Sequence, residues 1–310
     1  MNPNEHETKP VVAPAASWPY FSYPDGMGMR WNYYDYSYPP YAQQAGYFPG
    51  AAPWSAAFAN DPRAKQPPLT FVLVHGAWAD TSFWDGAATE LRKMGHLVYA
   101  PEYPGHGSDP NKAVTHAMIS KSVADFITSH NLQNIILVAH SFGGTVVQKV
   151  AELVPARIKR LVFWDAFVLP DGQSLADQFP SAMRKGFEQL RAASKDDTIM
   201  LPFPAFRDTF VNLAPLDLAQ RLYSRISPEP AKPLFEKLDL KQFYSLDLPK
   251  SYVYFTDDTA VPQAEGYGWH PHMSSRLGAY RLITGHGDHF STAKTNPAML
   301  AQKIYEAARD

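Results

Sequence analysis

Six short apolar runs recur from Leu69 onward: LTFVLV (69–74), HLVYAP (96–101), NIILVA (134–139), IKRLVFW (158–164), SYVYF (251–255) and YRLIT (280–284). Nearly continuous apolar runs of this length suit strands buried on both faces of a parallel sheet. Between them the period changes. Trp84, Ala88 and Leu91 fall at i, i+4, i+7; Ile119, Val123 and Ile127 at i, i+4, i+8; Val146, Val150 and Leu153 again at i, i+4, i+7. Each stripe predicts an amphipathic helix. Strand and helix alternate, so the expected class is α/β, a mostly parallel sheet with helices on both faces. Reactive groups then belong at the carboxyl ends of the strands.

Residues 1–68 follow neither period. They hold 12 of the 28 prolines and 14 of the 42 aromatic residues, including the run from Trp31 to Tyr41. This composition predicts an extended aromatic, Pro-rich arm, part of which packs on the main domain because so much aromatic surface is hard to leave in water. Residues 69–310 are expected to form the folded domain. The formal net charge of -2 argues against a nucleic-acid binder. Cysteine is absent, which removes disulfides, thiol catalysis and thiolate metal sites. No apolar run approaches the roughly 18 residues of a membrane span. The opening MNPNEHETKPVV has no apolar core of a secretory signal, so a cytoplasmic location is expected.

The run NIILVA leads into Ala139-His140-Ser141-Phe142-Gly143-Gly144 and then directly into the helix-period run TVVQKVAEL. Strand, tight turn and helix, with Ser at the turn, is the context of a nucleophile elbow. The turn demands small residues two before and two after the Ser, and Ala139 and Gly143 meet that demand. A helix N-terminus there would favour developing negative charge. The first run ends in His75-Gly76-Ala77-Trp78, where the N–H of Ala77 can join that of Phe142 as an oxyanion hole. His75 is expected to be a structural hydrogen-bonder. After the last run comes GHGDHF (285–290), placing a histidine where a general base for Ser141 is needed.

HGAW, AHSFGG, TDDTAVP (256–262) and GHGDH, in the order Ser, Asp, His, resemble the alpha/beta-hydrolase superfamily over about residues 69–308. Within it the chain looks most like small esterases near the plant methylesterase and hydroxynitrile lyase branch. The resemblance implies a triad. In similar hydrolases the acid lies four residues before a proline, which selects Asp258 relative to Pro262, with Asp257 one residue off and Asp165 the alternative from the preceding strand. The base lies about seven residues before a proline; His289 lies eight before Pro297, and His286 eleven. Lyase relatives carry Thr and Lys where this chain has Gly76 and Phe290, which disfavours that chemistry.

The roughly 80 residues between the fourth and fifth runs (about 170–249) interrupt the alternation, and the resemblance reads them as a helical cap. Its phenylalanines and Tyr223 suit an apolar pocket; Trp78, His140, Trp164, Phe203 and Phe206 are the candidate lining residues. The implied activity is hydrolysis of a small hydrophobic or aromatic carboxylic ester through an acyl-enzyme, with no cofactor and a small-molecule substrate as partner. An amide or lactone bond suits the same parts, and a hydrolase-like ligand receptor with little turnover is the alternative outside catalysis. His270 and His272 suggest a metal only weakly, because no third ligand stands at a telling spacing; a solvated loop is the expectation. The sequence leaves the oligomeric state open.

Overall fold

The computed structural model describes residues 67–310. The arm read over 1–68 therefore lies, except for its last two residues, outside the described residues. All six apolar runs are strands: β1 (Thr70–Val74), β2 (Leu97–Tyr99), β3 (Ile135–Ser141), β4 (Ile158–Ala166), β7 (Lys250–Phe255) and β8 (Arg281–Gly285), in the order β2-β1-β3-β4-β7-β8. Every pairing is parallel. The central strands are buried along their length because helices cover both faces, and every residue of β3 is buried. Each fully buried Ile, Leu, Val or Phe contributes roughly 1.5–3 kcal/mol, so the continuous apolar runs are the main source of sheet stability. β8, at the edge, alternates half-buried and exposed residues instead.

The helices α1 (Asp85–Lys93), α2 (His116–Ser129) and α3 (Gly143–Leu153) coincide with the three predicted stripes. Thr115 starts α2 by accepting the Met118 N–H on its hydroxyl, the expected N-cap chemistry. One position departs from the stripe. Leu153 is 53% exposed. The buried face of α3 is Val146, Val147, Val150 and Ala151, and Leu153 is the last residue of the helix. α10 (Pro297–Ala308) closes the chain against α1, with Asn296 accepting the Met299 N–H and Pro297 opening the first turn.

Between β4 and β7 the cap region carries α4 (Ser181–Ala193), α5 (Phe203–Thr209), α6 (Leu216–Tyr223), α7 (Ala231–Phe235) and α8 (Lys241–Ser245). Helices were expected here from the resemblance. A second sheet was not: β5 (Thr198–Ile199) and β6 (Glu229–Pro230) pair antiparallel, Ile199 opposite Glu229. Two-residue strands give no periodicity to read. Among the described residues no helix is long and apolar enough to cross a membrane.

The turn from β3 into α3 is packed to the limit. A Cβ on Gly143 would lie 2.6 Å from the His75 carbonyl oxygen, and one on Gly144 would lie 2.1 Å from that of Phe167. Both obstacles are backbone, so no side chain can swing aside. Gly144→Ala is expected to cost about 1–3 kcal/mol by overpacking, measured by urea unfolding; a variant as stable as wild type would contradict this packing.

Candidate active site

Ser141 ends β3 with φ of 52°, the left-handed region, and Phe142 then begins the right-handed turn of α3. A non-glycine residue held there is strained, and the Phe167 N–H bond to the Ser141 carbonyl, 3.0 Å, helps to hold it. The strain turns the side chain out of the sheet at the carboxyl edge. On the neighbouring strand, Gly76 approaches so closely that a Cβ would lie 2.6 Å from the Ser141 Cβ. Among the described residues, neither the Ala77 nor the Phe142 N–H donates to a protein acceptor. That leaves two backbone donors beside Ser141 free for a ligand oxygen.

His289 is buried, and its Nδ1–H donates to Asp258 Oδ2 at 2.6 Å. The bond fixes the tautomer and leaves Nε2 free to accept a proton. The other Asp258 oxygen accepts the Ala260 N–H at 2.9 Å. The His289 loop is tied to the nucleophile strand because His140 Nε2–H donates to the His289 carbonyl at 2.9 Å. It is tied to the cap by the Phe290 N–H bond to the Phe210 carbonyl, 2.8 Å, and by the Leu213 N–H bond to Asp288 Oδ2, 3.1 Å. Asp288 also accepts the Thr292 N–H, starting α9 (Thr292–Thr295).

The competing residues lie elsewhere. His286 is largely exposed and meets Asp257, whose carboxylate also accepts the Gly287 N–H. Asp165 is fully buried at the end of β4 and accepts the Phe255 N–H on both oxygens at 3.2 Å. Burial, reinforced by the neighbouring charge of Asp258, pushes its carboxyl well above the usual range, which favours the neutral acid. The two carboxyls thus divide: Asp258 touches the imidazole, and Asp165 backs Asp258. Burial, with His289 adding, holds His140 well below the ordinary histidine range, so it is a neutral donor.

Around the imidazole the walls are aromatic. Trp269 stacks on the His289 ring, centroids 5.4 Å apart and planes within 2°. Phe210 meets it edge-on at 5.0 Å. Trp78 packs edge-on against Phe210 at 5.4 Å and reaches Phe187 at 6.5 Å. Phe206 stacks on Phe210 and packs against Phe290, while Phe203 lies a layer further out against Tyr223. His140 and Trp164 sit below, buried with Phe83 and Trp84 in an aromatic stack that supports the imidazole. Trp269 was not anticipated; it opens a short irregular helical turn, Trp269–Met273, with no periodic signal.

His75 is structural: its Nε2–H donates to Glu102 Oε1 at 2.7 Å, and its Nδ1 lies 2.9 Å from the Gly76 carbonyl oxygen. His270 meets Ser274, and His272 meets the Arg276 guanidinium, 2.6 Å away.

The chain matches the Alpha/beta hydrolase family over residues 71–302 and belongs to it. A solved extracellular alpha/beta-hydrolase from a Paenibacillus species, described as sharing structural and functional homology with tobacco salicylic acid binding protein 2, is 60% identical; the match covers 78% of this chain and all of that one, with a TM-score of 0.77. A carbendazim hydrolyzing esterase from Nocardioides sp. is 34% identical over 145 residues, 44% of this chain and 60% of that protein. A putative chloroplastic methylesterase of Arabidopsis thaliana, methylesterase 13, is 31% identical over 206 residues, 62% of this chain and 46% of its own length. The chain thus spans about half the length of these curated relatives.

Asp258→Asn should lower kcat by roughly 10²–10⁴, because the wrong imidazole tautomer is then supported. Asp165→Asn, an isostere of the neutral acid, should stay within about threefold of wild type, and its stability should differ from wild type in a pH-dependent way. The unfolded carboxyl ionises above about pH 4 while the folded one stays protonated. Asp165 therefore contributes stability that is complete at low pH and lost as pH rises. The melting-temperature advantage of Asp165→Asn should widen from pH 4 upward; a constant difference would show that Asp165 is ionised in the fold.

Proposed function

We propose that the protein is a serine hydrolase that cleaves carboxylic esters of small hydrophobic or aromatic acids through an acyl-enzyme. The observation that carries this reading is Ser141 on its strained turn beside two unused N–H donors, with the His289–Asp258 pair bonded to the strand that presents it. The esterase names among the relatives support ester chemistry, and the likeness of the Paenibacillus enzyme to a salicylic acid binding protein supports an aromatic acyl group. Trp78, Phe187 and Phe210 supply surface of matching character.

In the proposed reaction the Ser141 Oγ attacks the ester carbonyl carbon as His289 Nε2 takes its proton. The carbonyl electrons move to oxygen, which the Ala77 and Phe142 N–H groups hold. The tetrahedral species collapses, the C–O bond to the alcohol breaks, and the imidazolium protonates the departing oxygen. Water, deprotonated by the same imidazole, then attacks the acyl-enzyme; the second collapse releases the acid and returns the proton to Ser141. Asp258 stabilises the imidazolium in both halves. No step calls for a cofactor.

A second reading, a receptor that holds an aromatic acid with little turnover, draws on the same Paenibacillus relative. Turnover of chromogenic aryl and alkyl esters separates the two. The cytoplasmic expectation from residues 1–12 stands against the extracellular description of that relative, and cell fractionation decides between them.

Ser141→Ala should lower kcat by about 10⁴–10⁶ with the fold intact, and a fluorophosphonate should label Ser141. Labelling at another residue would remove it as the nucleophile. Only neutral imidazole accepts the proton, so kcat/KM should fall as the pH is lowered; a profile flat from about pH 5 to 9 would exclude His289 as the base.

A further inference from the structure

A buried carboxylate lies outside the triad, on the cap. Glu229, in β6, is fully buried. Its Oε2 accepts the Trp78 backbone N–H at 2.7 Å, and His106 Nε2 approaches both of its oxygens at 3.0 Å. Trp78 immediately follows Ala77, and its φ of 61° places a bulky non-glycine residue in the left-handed region. Such a conformation persists only where the surroundings over-determine it. The surroundings here are the cap. Besides the Glu229 bond, the Ser227 N–H donates to the Trp78 carbonyl at 3.3 Å, and the Trp78 indole N–H donates to the Ile199 carbonyl at 2.8 Å. Ile199 and Glu229 are opposite one another in the two-stranded sheet of β5 and β6. That small sheet therefore grips Trp78 at its backbone and at its indole.

The same carboxylate reaches toward the second donor. His106 Nδ1 is 3.1 Å from the Pro104 carbonyl, which orients the ring. The ring lies nearly parallel to that of Phe142, centroids 6.3 Å apart and planes at 12°. Burial opposes a charge on His106 and the Glu229 carboxylate overrides it, so the imidazole titrates above its ordinary value. Glu229 is thus at the centre of a buried arrangement that touches the segment of each candidate oxyanion donor and no reacting atom.

We propose that Glu229 is a positioning residue that sets the oxyanion hole, holding the strained Trp78 peptide so that the Ala77 N–H points at the substrate oxygen. The proposal rests on the serine-hydrolase reading. Through it, docking of the cap completes the catalytic geometry as well as covering the substrate. Because the oxyanion forms only during reaction, loss of this alignment lowers kcat and leaves ground-state binding nearly unchanged.

The test uses the full chain and a short-chain p-nitrophenyl ester. Wild-type turnover that disappears in Ser141→Ala establishes the underlying reading; without that turnover the function fails before Glu229 is examined. Glu229→Gln keeps an oxygen acceptor for the Trp78 N–H and presents an amide to neutral His106, whereas Glu229→Leu keeps bulk and removes the acceptor. The expected result is a kcat within about threefold of wild type for the Gln variant and a loss of roughly 10–100-fold for the Leu variant, with KM within about threefold in both; loss of a complete oxyanion donor costs about 10²–10³. If the Leu variant does not fold by near-UV circular dichroism, Glu229→Asp, which keeps the charge and shortens the reach, takes its place with the same expected loss. A loss in the Gln variant equal to that of the Leu variant would mean that charge matters and position does not, and one equal to that of the Asp variant would mean that an acceptor at full reach is not enough. A rise in KM at constant kcat would make Glu229 a pocket residue. Unchanged kinetics in all variants would make it structural. Each of these outcomes overturns the proposal.

Discussion

Three neighbouring strands, β1, β3 and β4, each deliver a non-glycine residue in left-handed conformation at or just beyond the carboxyl end: Trp78, Ser141 and Asp165. Each such residue costs of the order of 1–3 kcal/mol, and the rest of the molecule is arranged to hold them. The cost is met by buried bonds: Glu229 on Trp78, Phe167 on Ser141, Phe255 on Asp165. The strained edge brings the Ser141 side chain, the Asp165 carboxyl and the Trp78 peptide to one end of the sheet. A relaxed strand end would aim them along the pleat, alternately to either face of the sheet.

Electrostatics at this edge depend on separating like groups by protonation. Two buried carboxyls next to each other cannot both ionise cheaply. Burial and the field of Asp258 push Asp165 toward its neutral form, beside the carboxyl that touches His289. Histidines are divided in the same way. His140 is held neutral by burial, and His106 is held toward its charged form by Glu229. The imidazole of His289 lies against His140, under Trp269 and beside Phe210, largely withdrawn from water.

What could be read from sequence follows from how local the cause is. Buried parallel strands announce themselves as apolar runs, so all six were legible to within a few residues. Ser141 was legible because a strand–turn–helix junction requires small neighbours at fixed offsets, and the Gly143 contact shows why. Asp258 and His289 required family spacing; residue chemistry alone left Asp165, Asp257 and His286 open. Leu153 misled because a stripe says which side of a helix is apolar and nothing about whether its last turn is covered. Trp269 and Glu229 could not be found this way, since their roles arise from contacts with residues 20 and 151 positions away, made by loops and two-residue strands. Trp164 was read as pocket lining, and it lies fully buried in the supporting stack.

β4 and β7 are direct neighbours in the sheet, although the whole cap lies between them in sequence. An excursion whose two ends are already pinned by a strand pairing carries a closure entropy that grows only with the logarithm of its length. The cap can therefore lengthen, shorten or be rebuilt at little cost to the sheet. Only the few places where it reaches back to the strand ends resist change, chiefly the 199–229 sheet and the 210–213 segment. Substrate range in this chain is open to drift between those anchor points, while the reacting geometry is inherited with the anchors themselves.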